Sequence, residues 1–494
     1  MVRGKERTRK LRRACRSLFP LALLAALPAI PADGLAQETT AITPVKNVIV
    51  MIGDGAGYNH FAAGSIYRHG APNAESFDSW PVKLAMATFS AGGESYEDTY
   101  VCPPRSKRGN YNPERAWSDF DYVKHGATDS AAAATAMSAG IRTYNNAIGV
   151  DCLQAPRKHA SEDFEDVGRS TGVVTSVEWS HATPAGNVAH NARRDDRVAI
   201  AKEMVLDSAT DVIMGAGHPD FRPNGTLKPL PIAERAYEVV GGSQTWAALH
   251  PAPDSGIAPA GGDADGDGDA DPWTTVESKA AFEALTSGPT PARVLGTAPV
   301  NDTLQQARAQ GAPPNTTVPT LATMARGALN VLDEDPDGFY LMIEGGAIDL
   351  ASHAAWRPFQ IPRIVEEQVA FHEAIDAVSA WVESNSSWEE TMVIITADHE
   401  TGYLTGPGSG TIDGEPVWTD LENRGAGVLP GMQLNHFVAS MGNYQHTNSL
   451  VPFYAKGGPA EAFTTRVVGT DPVRGPYIEN RSISDLLFEI LRAG

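Results

Sequence analysis

Four short runs of apolar, largely β-branched residues, each breaking off into acids and histidines, constrain this chain more than any other feature. Val45 to Ile52 (VKNVIVMI) runs into Gly53-Asp54-Gly55-Ala56-Gly57. Gly172 to Val177 (GVVTSV) leads to Ser180-His181-Ala182-Thr183-Pro184-Ala185-Gly186. Phe339 to Ile343 (FYLMI) leads to Glu344-Gly345-Gly346-Ala347-Ile348-Asp349, and Met392 to Thr396 (MVIIT) to Ala397-Asp398-His399-Glu400. Continuous apolar runs of this length suit strands buried on both faces, as in parallel sheets. Ligands of open α/β sheets bind beyond the carboxyl ends of the strands, which is where these polar residues fall. Ile364 to Val382 places apolar residues at 365, 369, 375, 378 and 382 among acids, the pattern of an amphipathic helix. Strand–helix alternation predicts an α/β fold: a three-layer α/β/α sandwich around a largely parallel sheet.

A second stretch, His125 to Gly140 (HGATDSAAAATAMSAG), joins a polar knot to an alanine-rich segment. Alanine is the best helix former, and Thr128 or Asp129 can cap the first turn. Ser130 then sits at a helix N-terminus, where partial positive charge favours an alkoxide or a bound phosphate. Taken alone, the stretch also fits an ordinary capped core helix.

Of the 494 residues, 42% are hydrophobic, enough for a large core, in one big α/β domain with insertions or in two to three domains. Residues 1–36 combine eight Lys/Arg with the apolar run Leu18 to Leu27 and end in Gly34-Leu35-Ala36. This reads as a secretory signal, cleaved after about Ala36 and leaving 37–494 as the mature chain. The apolar run is too short for a membrane anchor, so no stable membrane insertion is expected. Residues 1–36 hold eight of the 39 bases and two of the 60 acids, so the remainder carries 31 bases against 58 acids, a net −27. So acidic a protein repels nucleic-acid backbones and anionic membranes. The expected localisation is periplasmic or extracellular. Cys15 leaves with the signal; Cys102 and Cys152 remain as a pair in an exported chain and are expected to form a disulfide around the Ser130 helix.

From about His218 to Gln310 the chain is rich in Gly, Pro, Ala and Asp. It is expected to be an irregular, crown-like insertion at about 218–310. Within it, Asp263 to Asp271 places acids at alternate positions among glycines, like the opening of a calcium loop. Thr274 stands where the bidentate Glu of such a loop belongs, so bound calcium and a solvated acidic loop both remain open.

The metal-capable residues, in order, are Asp54, Thr183, Glu344, Asp349, His353, Asp398, His399 and His446. Asp349 and His353, four apart, share one face of a helix. Mixed His and carboxylate ligands suit zinc, and an all-oxygen set suits magnesium. With these motifs the chain resembles the alkaline phosphatases. The resemblance is carried by GDGAG at 53–57, TDSAAAATA at 128–136, HATPAGNVAHNARR at 181–194, EGGAIDLASH at 344–353, TADHE at 396–400 and QHTN at 445–448. It implies that Ser130 is the phosphorylated nucleophile. It implies one zinc held by Asp349, His353 and His446, and a second by Asp54, Asp398 and His399 beside Ser130. A third site, usually magnesium, would use Asp54, Thr183 and Glu344, and Arg194 rather than Arg193 would grip two phosphate oxygens. A homodimer acting on phosphate monoesters is implied as well.

Two positions depart from part of that family. His181 and Leu350 stand where enteric-type enzymes carry Asp and Lys, and the animal-type enzymes, which share the histidine at 181, carry His at the position of Leu350. Leu350 cannot donate to phosphate, so looser phosphate binding is expected unless another residue supplies the cation. His181 is a candidate substrate-binding residue or a core histidine. His190, His372 and His436 match no ligand role and read as structural. The expected function is an exported monoesterase acting through a phosphoserine. The alternatives are a phosphodiesterase of the same superfamily and a catalytically inactive calcium-binding surface protein. A sulfatase is disfavoured, because Ser130 lacks a Cys/Ser-x-Pro-x-Arg context.

Overall fold

The computed structural model describes residues 44–493 except 93–101, 105–107, 230–235, 254, 256, 265–270, 413–414, 436–438 and 441–442. The expected signal segment, His436 and the centre of the acid-rich loop therefore lie outside the described residues. In chain order the strands are β1 (Asn47–Gly53), β2 (Val82–Ala87), β3 (Ser170–Glu178), β4 (Val212–Ala216), β5 (Thr274–Val276), β6 (Val294–Thr297), β7 (Phe339–Gly345) and β8 (Thr391–Ala397). They continue with β9 (Glu400–Thr401), the hairpin β10–β11 (Gly410–Ile412 and Glu415–Val417) and the hairpin β12–β13 (Ala439–Ser440 and Asn443–Tyr444). The last are β14 (His446–Thr447), β15 (Val451–Lys456), β16 (Gly469–Asp471) and β17 (Gly475–Glu479). The helices are α1 (Tyr58–His69), α2 (Arg115–Ser118), α3 (Ser130–Ala139), α4 (Ala160–Asp166), α5 (Ala182–Ala185) and α6 (Arg197–Lys202). They are followed by α7 (Gly242–Leu249), α8 (Lys279–Ala284), α9 (Leu321–Leu332), α10 (Ala347–His353), α11 (Ile361–Asn385) and α12 (Ser482–Ala493).

Eleven strands form the central sheet in the order β16-β17-β2-β15-β8-β1-β7-β3-β4-β6-β5. Its heart, β8-β1-β7-β3-β4-β6-β5, is parallel, and antiparallel pairing enters only at β15 and β16. Val50 of β1 lies between Met342 of β7 and Ile394 of β8. Every residue of β1, β7 and β8 is buried, in keeping with the apolar runs at their centres. Helices α1, α9 and α11 pack together on one side of the sheet, and α3, α4 and α12 pack together on the other. This is the expected sandwich. Helix α11 covers the predicted 364–382 segment and buries Ile364, Phe371, Ile375, Val378 and Val382. Phe371 leaves no room for a side chain at Gly345, where an added Cβ would meet its ring at 3.0 Å.

The stretch expected as an irregular insertion is partly regular. Strands β5 and β6 continue the parallel sheet beyond β4, and α8 packs on α9. Four and three residues are too few for a periodicity to show in sequence, so only tertiary pairing reveals these strands. The ends of the acid-rich loop close on each other: the Ala264 N–H donates to the Asp271 carboxylate at 2.9 Å. A His–Glu–His clamp also ties this region together. Glu277 lies 2.6 Å from His250 Nε2 and 3.6 Å from His218 Nε2. Cys102 and Cys152 are bridged, closing a 50-residue separation around α3.

Chain-entropy arguments give a loop of that size about 4 kcal/mol of stabilisation. The Cys102→Ser/Cys152→Ser double variant should therefore unfold at a lower urea concentration by roughly that free energy, and an unchanged midpoint would contradict it. At Glu277, burial pushes the pKa up, but the bonds to His218 and His250 outweigh it and hold the carboxyl down at about 2. A depressed carboxylate contributes stability above its unfolded pKa, and that contribution fades as pH falls through the folded one. The stability difference between wild type and Glu277→Gln should thus shrink between pH 4.5 and about 2, read from denaturant unfolding across that range.

Candidate active site

The candidate residues converge at the C-terminal edge of four adjacent parallel strands, β8-β1-β7-β3. Asp54 follows β1, Glu344 closes β7, Asp398 and His399 follow β8, and His181 and Thr183 follow β3. Asp349 and His353 come from α10, one turn apart. His446 comes from β14, which pairs with β9, so Thr447 lies opposite Glu400. Gly55 makes the turn possible: its φ is +71°, and an added Cβ would sit 2.9 Å from Asp349. Its N–H donates to Asp398 Oδ1 at 3.0 Å.

Three sets of side chains bring ligand atoms within 4.8 Å of one another: Asp349-His353-His446, Asp54-Asp398-His399 and Asp54-His181-Glu344. The first two are the sets expected from sequence. In the third, His181 stands with Asp54 and Glu344 beside the expected Thr183. Second partners fix the histidine tautomers. His446 Nδ1 donates to the Thr128 carbonyl at 2.8 Å, and His353 Nδ1 donates to the Tyr444 carbonyl. Both Nε2 lone pairs are thereby left pointing inward, 2.9 Å from each other. They also face Asp349 at 3.3 and 3.4 Å. Lone pairs do not converge on a carboxylate without positive charge between them, and histidine ligands are oriented by outer partners of this kind.

The carboxylates make the same demand. Asp54, Asp398 and Glu344 are fully buried, and Asp54 Oδ1, Asp398 Oδ2, Glu344 Oε1 and the Thr183 hydroxyl have no hydrogen-bond partner. Burial, then repulsion from Asp398, Asp349 and Glu344, raises the Asp54 pKa well above the usual carboxylate range. Burial also raises Glu344, to about 7, although Thr175 donates to it. Burial acts upward on Asp349 too, but the neighbouring His353 and His446 outweigh it and hold its carboxyl low. Buried carboxylates crowded together, with oxygens lacking a hydrogen-bond partner and with imidazole nitrogens beside them, fit divalent cations in a mixed N/O set.

Ser130 opens α3, and Asp129 caps it by accepting from the Ala132 N–H at 3.0 Å. The Ser130 hydroxyl lies 3.5 Å from Asp54 Oδ2 and 3.3 Å from His399 Nε2. Arg194 donates from Nη1 to Asp129 Oδ2 at 3.0 Å and brings Nη2 to 3.5 Å from His181 Nε2. Arg193 is exposed, whereas Arg194 faces the residue next to Ser130. Burial, with Arg194 and Arg197 nearby, lowers the His181 pKa to about 3, so this ring is neutral at working pH. Leu350 brings no polar group. His372 is internal, 2.9 Å from Glu75, in the structural role expected.

Sequence reasoning missed several supports. Asp129 serves as both helix cap and anchor of Arg194. The Thr401 hydroxyl donates to Asp349 Oδ1 at 2.5 Å and lies 3.3 Å from His399 Nδ1, so it ties the two ligand sets together. The Thr447 hydroxyl donates to Glu400 at 2.5 Å, behind the ligand ribbon. The only hint in sequence was the i+2 spacing of His399 and Thr401, which puts both on one face of an extended segment.

An α/β sandwich with this cluster at the carboxyl edge of its sheet, and a serine at a helix start beside it, defines an α/β protein with a candidate metal centre and a candidate serine nucleophile. The alkaline phosphatase family profile matches residues 45–424. The chain belongs to the alkaline phosphatase family, which is metal-dependent. It is 27% identical over 448 residues to the alkaline phosphatase of Escherichia fergusonii, covering 84% of this chain and 81% of that one. It is 29% identical over 473 residues to the streptomycin-6-phosphate phosphatase of Streptomyces griseus, covering 89% and 91%. The same fold occurs in the alkaline phosphatase of the Antarctic bacterium TAB5, with a TM-score of 0.54, 23% identity and coverage of 91% and 99%. It occurs too in that of Thermus thermophilus, with a TM-score of 0.58, 19% identity and coverage of 94% and 96%.

Because the carboxylates repel one another, chelator treatment should lower the thermal unfolding temperature and added zinc should restore it. At a free ion concentration a hundred times Kd the gain is about 2.7 kcal/mol per site. An unfolding temperature indifferent to both treatments would contradict the cation fit. Asp129→Asn keeps a good cap but loses the charge that orients Arg194, so it should weaken inhibition by inorganic phosphate with little change in stability. Asp129→Ala should in addition lose about 1 kcal/mol of stability in denaturant unfolding.

Proposed function

We propose that the chain is an exported phosphomonoesterase working through a phosphoserine at Ser130, with two zinc ions and one magnesium ion. The observation that carries this reading is the Ser130 hydroxyl 3.5 Å from Asp54 and 3.3 Å from His399, with Arg194 held alongside by Asp129. Asp349, His353 and His446 would hold one zinc; Asp54, Asp398 and His399 would hold the other. Asp54, Thr183 and Glu344 would hold magnesium, with His181 beside them. When bound, such ions supply Lewis-acid charge that makes oxygen nucleophiles available near neutral pH and offsets phosphate charge.

The chain's own residues supply the rest. The Ser130 oxygen attacks phosphorus in line with the ester oxygen; the P–O bond to the alcohol breaks and a phosphoserine forms. Water then attacks the same phosphorus from the vacated side, releasing phosphate and restoring the hydroxyl. The start of α3 places its N-terminal field on the serine oxygen. The Arg194 fork matches two equatorial phosphate oxygens, a geometry that lysine lacks. Neutral His181 can hydrogen-bond to phosphate without adding charge, and Leu350 contributes nothing polar, so the side-chain grip on phosphate falls to Arg194. Periplasmic or extracellular residence, after removal of residues 1–36, and a homodimer belong to the same proposal. No helix among the described residues is long and apolar enough to cross a membrane.

Hydrolysis of an aryl phosphate monoester should be abolished by chelator and restored by zinc, with an aryl diester turned over far more slowly. A preferred diester would favour the phosphodiesterase reading, and no turnover of either by zinc-loaded protein would favour the inactive calcium-binding one. Ser130→Ala should lose nearly all monoesterase activity while keeping its metal content. Arg194→Ala removes charge-assisted hydrogen bonds worth about 1.5–3 kcal/mol, so kcat/KM should fall roughly 10- to 150-fold, mostly through KM. An unchanged KM and unchanged phosphate inhibition would remove Arg194 from this role.

A further inference from the structure

A second group of ligand-type side chains shares no residue with the site at the sheet edge. Atoms of His159, Glu162 and His190 lie within 4.8 Å of one another. His159 immediately precedes α4 and Glu162 lies in its first turn. His190 belongs to the strap that runs from α5 to Arg194. The strap is bonded to the chain around residue 148: Asn191 and Ile148 exchange backbone hydrogen bonds at 2.8 Å each, and the Arg194 N–H donates to the Asn146 carbonyl at 2.8 Å.

His159 is fully buried at the N-cap of α4, where it forms a capping box with Glu162: its backbone N–H donates to Glu162 Oε2 at 2.7 Å and its ring faces the Glu162 N–H, without a close hydrogen bond at either ring nitrogen. Its Nε2 is backed against Gly149, where an added Cβ would come within 2.4 Å, so nothing can bind on that side. Its Nδ1 faces Glu162 Oε2 at 3.4 Å. The His190 ring stacks on it, centroids 4.3 Å apart. His190 Nδ1 meets Glu203 Oε1 at 3.1 Å, a carboxylate–imidazole pairing that orients the ring and turns Nε2 outward. That Nε2 then faces the Arg157 carbonyl at 3.0 Å and Glu162 Oε2 at 3.6 Å, both electron-rich. A proton on His190 satisfies that ring's contacts but leaves His159 Nδ1 with only a long 3.4 Å approach to Glu162 and the capping N–H. A cation among the three groups engages both rings and the carboxylate at once. Glu162 and His190 are 34% and 15% exposed, which gives an ion access.

We propose that His159, Glu162 and His190 form a further transition-metal site, of the two-imidazole, one-carboxylate type that zinc favours. Glu203 orients His190 from outside it. The ion clamps the strap that carries Arg194 onto the start of α4, at a place where no substrate is handled. The site does not depend on the proposed phosphatase mechanism.

The test is a zinc count by mass spectrometry on the full chain after equilibrium dialysis against zinc. Wild type is compared with the Glu162→Gln/His190→Gln double variant. The double variant should hold one zinc fewer per chain. An equal count in the two proteins would overturn the proposal and identify the cluster as a proton-linked structural contact. If the double variant does not fold, Glu162→Gln alone, altering a partly exposed side chain, is read in the same way. Only the difference between proteins with intact Asp54, Asp349 and Asp398 is used, so the result is independent of how many ions gather beside Ser130. Occupancy of the Asp349-His353-His446 set is measured separately, by the zinc lost in Asp349→Ala.

Discussion

The structure turns on carboxylates crowded together, out of reach of water, at one edge of a buried sheet. Asp54, Asp398 and Glu344 have no exposure to water, and each leaves an oxygen without a hydrogen-bond partner. Two imidazole lone pairs approach within 2.9 Å because their opposite nitrogens are committed to backbone carbonyls. An arrangement like this is unfavourable by itself and becomes favourable with divalent cations in place. The rest of the fold supplies the rigidity that keeps these groups together despite their repulsion.

That rigidity comes from the order β8-β1-β7-β3, which sets four strand ends side by side. Each strand is apolar through its middle and polar towards its ends, so the core and the site are built by the same segments. Helix α3, wholly buried, points its N-terminus at the cluster, and Asp129 there meets two needs: it caps the helix and holds Arg194 at 3.0 Å. A disulfide encloses the helix, and reciprocal backbone bonds between Ile148 and Asn191 fix the strap that brings Arg194 back to it. The serine and the arginine, 64 residues apart, are thus registered through one aspartate.

The polar groups that support the site are as short-range as the site itself. Thr401 touches both Asp349 and His399, and Thr175 donates to Glu344. Gly55 lets Asp349 approach the β1 turn. These contacts explain why small residues flank the acidic ones, and why the departure at Leu350 leaves the metal-ligand groups undisturbed: its side chain takes part in none of their hydrogen bonds. Burial of His181 beside Arg194 and Arg197 keeps its ring uncharged, so the positive charge beside it comes from the guanidinium groups.

Much of this was legible in the linear sequence. Unbroken apolar runs identify buried parallel strands, because two covered faces leave no room for alternation. The abrupt change to Asp, Glu and His marks their functional ends, and the TDSAAAA stretch marks a capped helix carrying Ser130. The pairing of Cys102 with Cys152 followed from an even count, and the family followed from the motifs. Strands β5 and β6 were hidden, since three or four residues carry no period and are held only by their neighbours. Also hidden were the partners that give each side chain its direction: the carbonyls of Thr128 and Tyr444, the hydroxyl of Thr401 and the second role of Asp129. Sequence fixes which groups can bear charge or bind an ion; which lone pair faces which oxygen depends on contacts between segments up to hundreds of residues apart, and only the folded chain decides those.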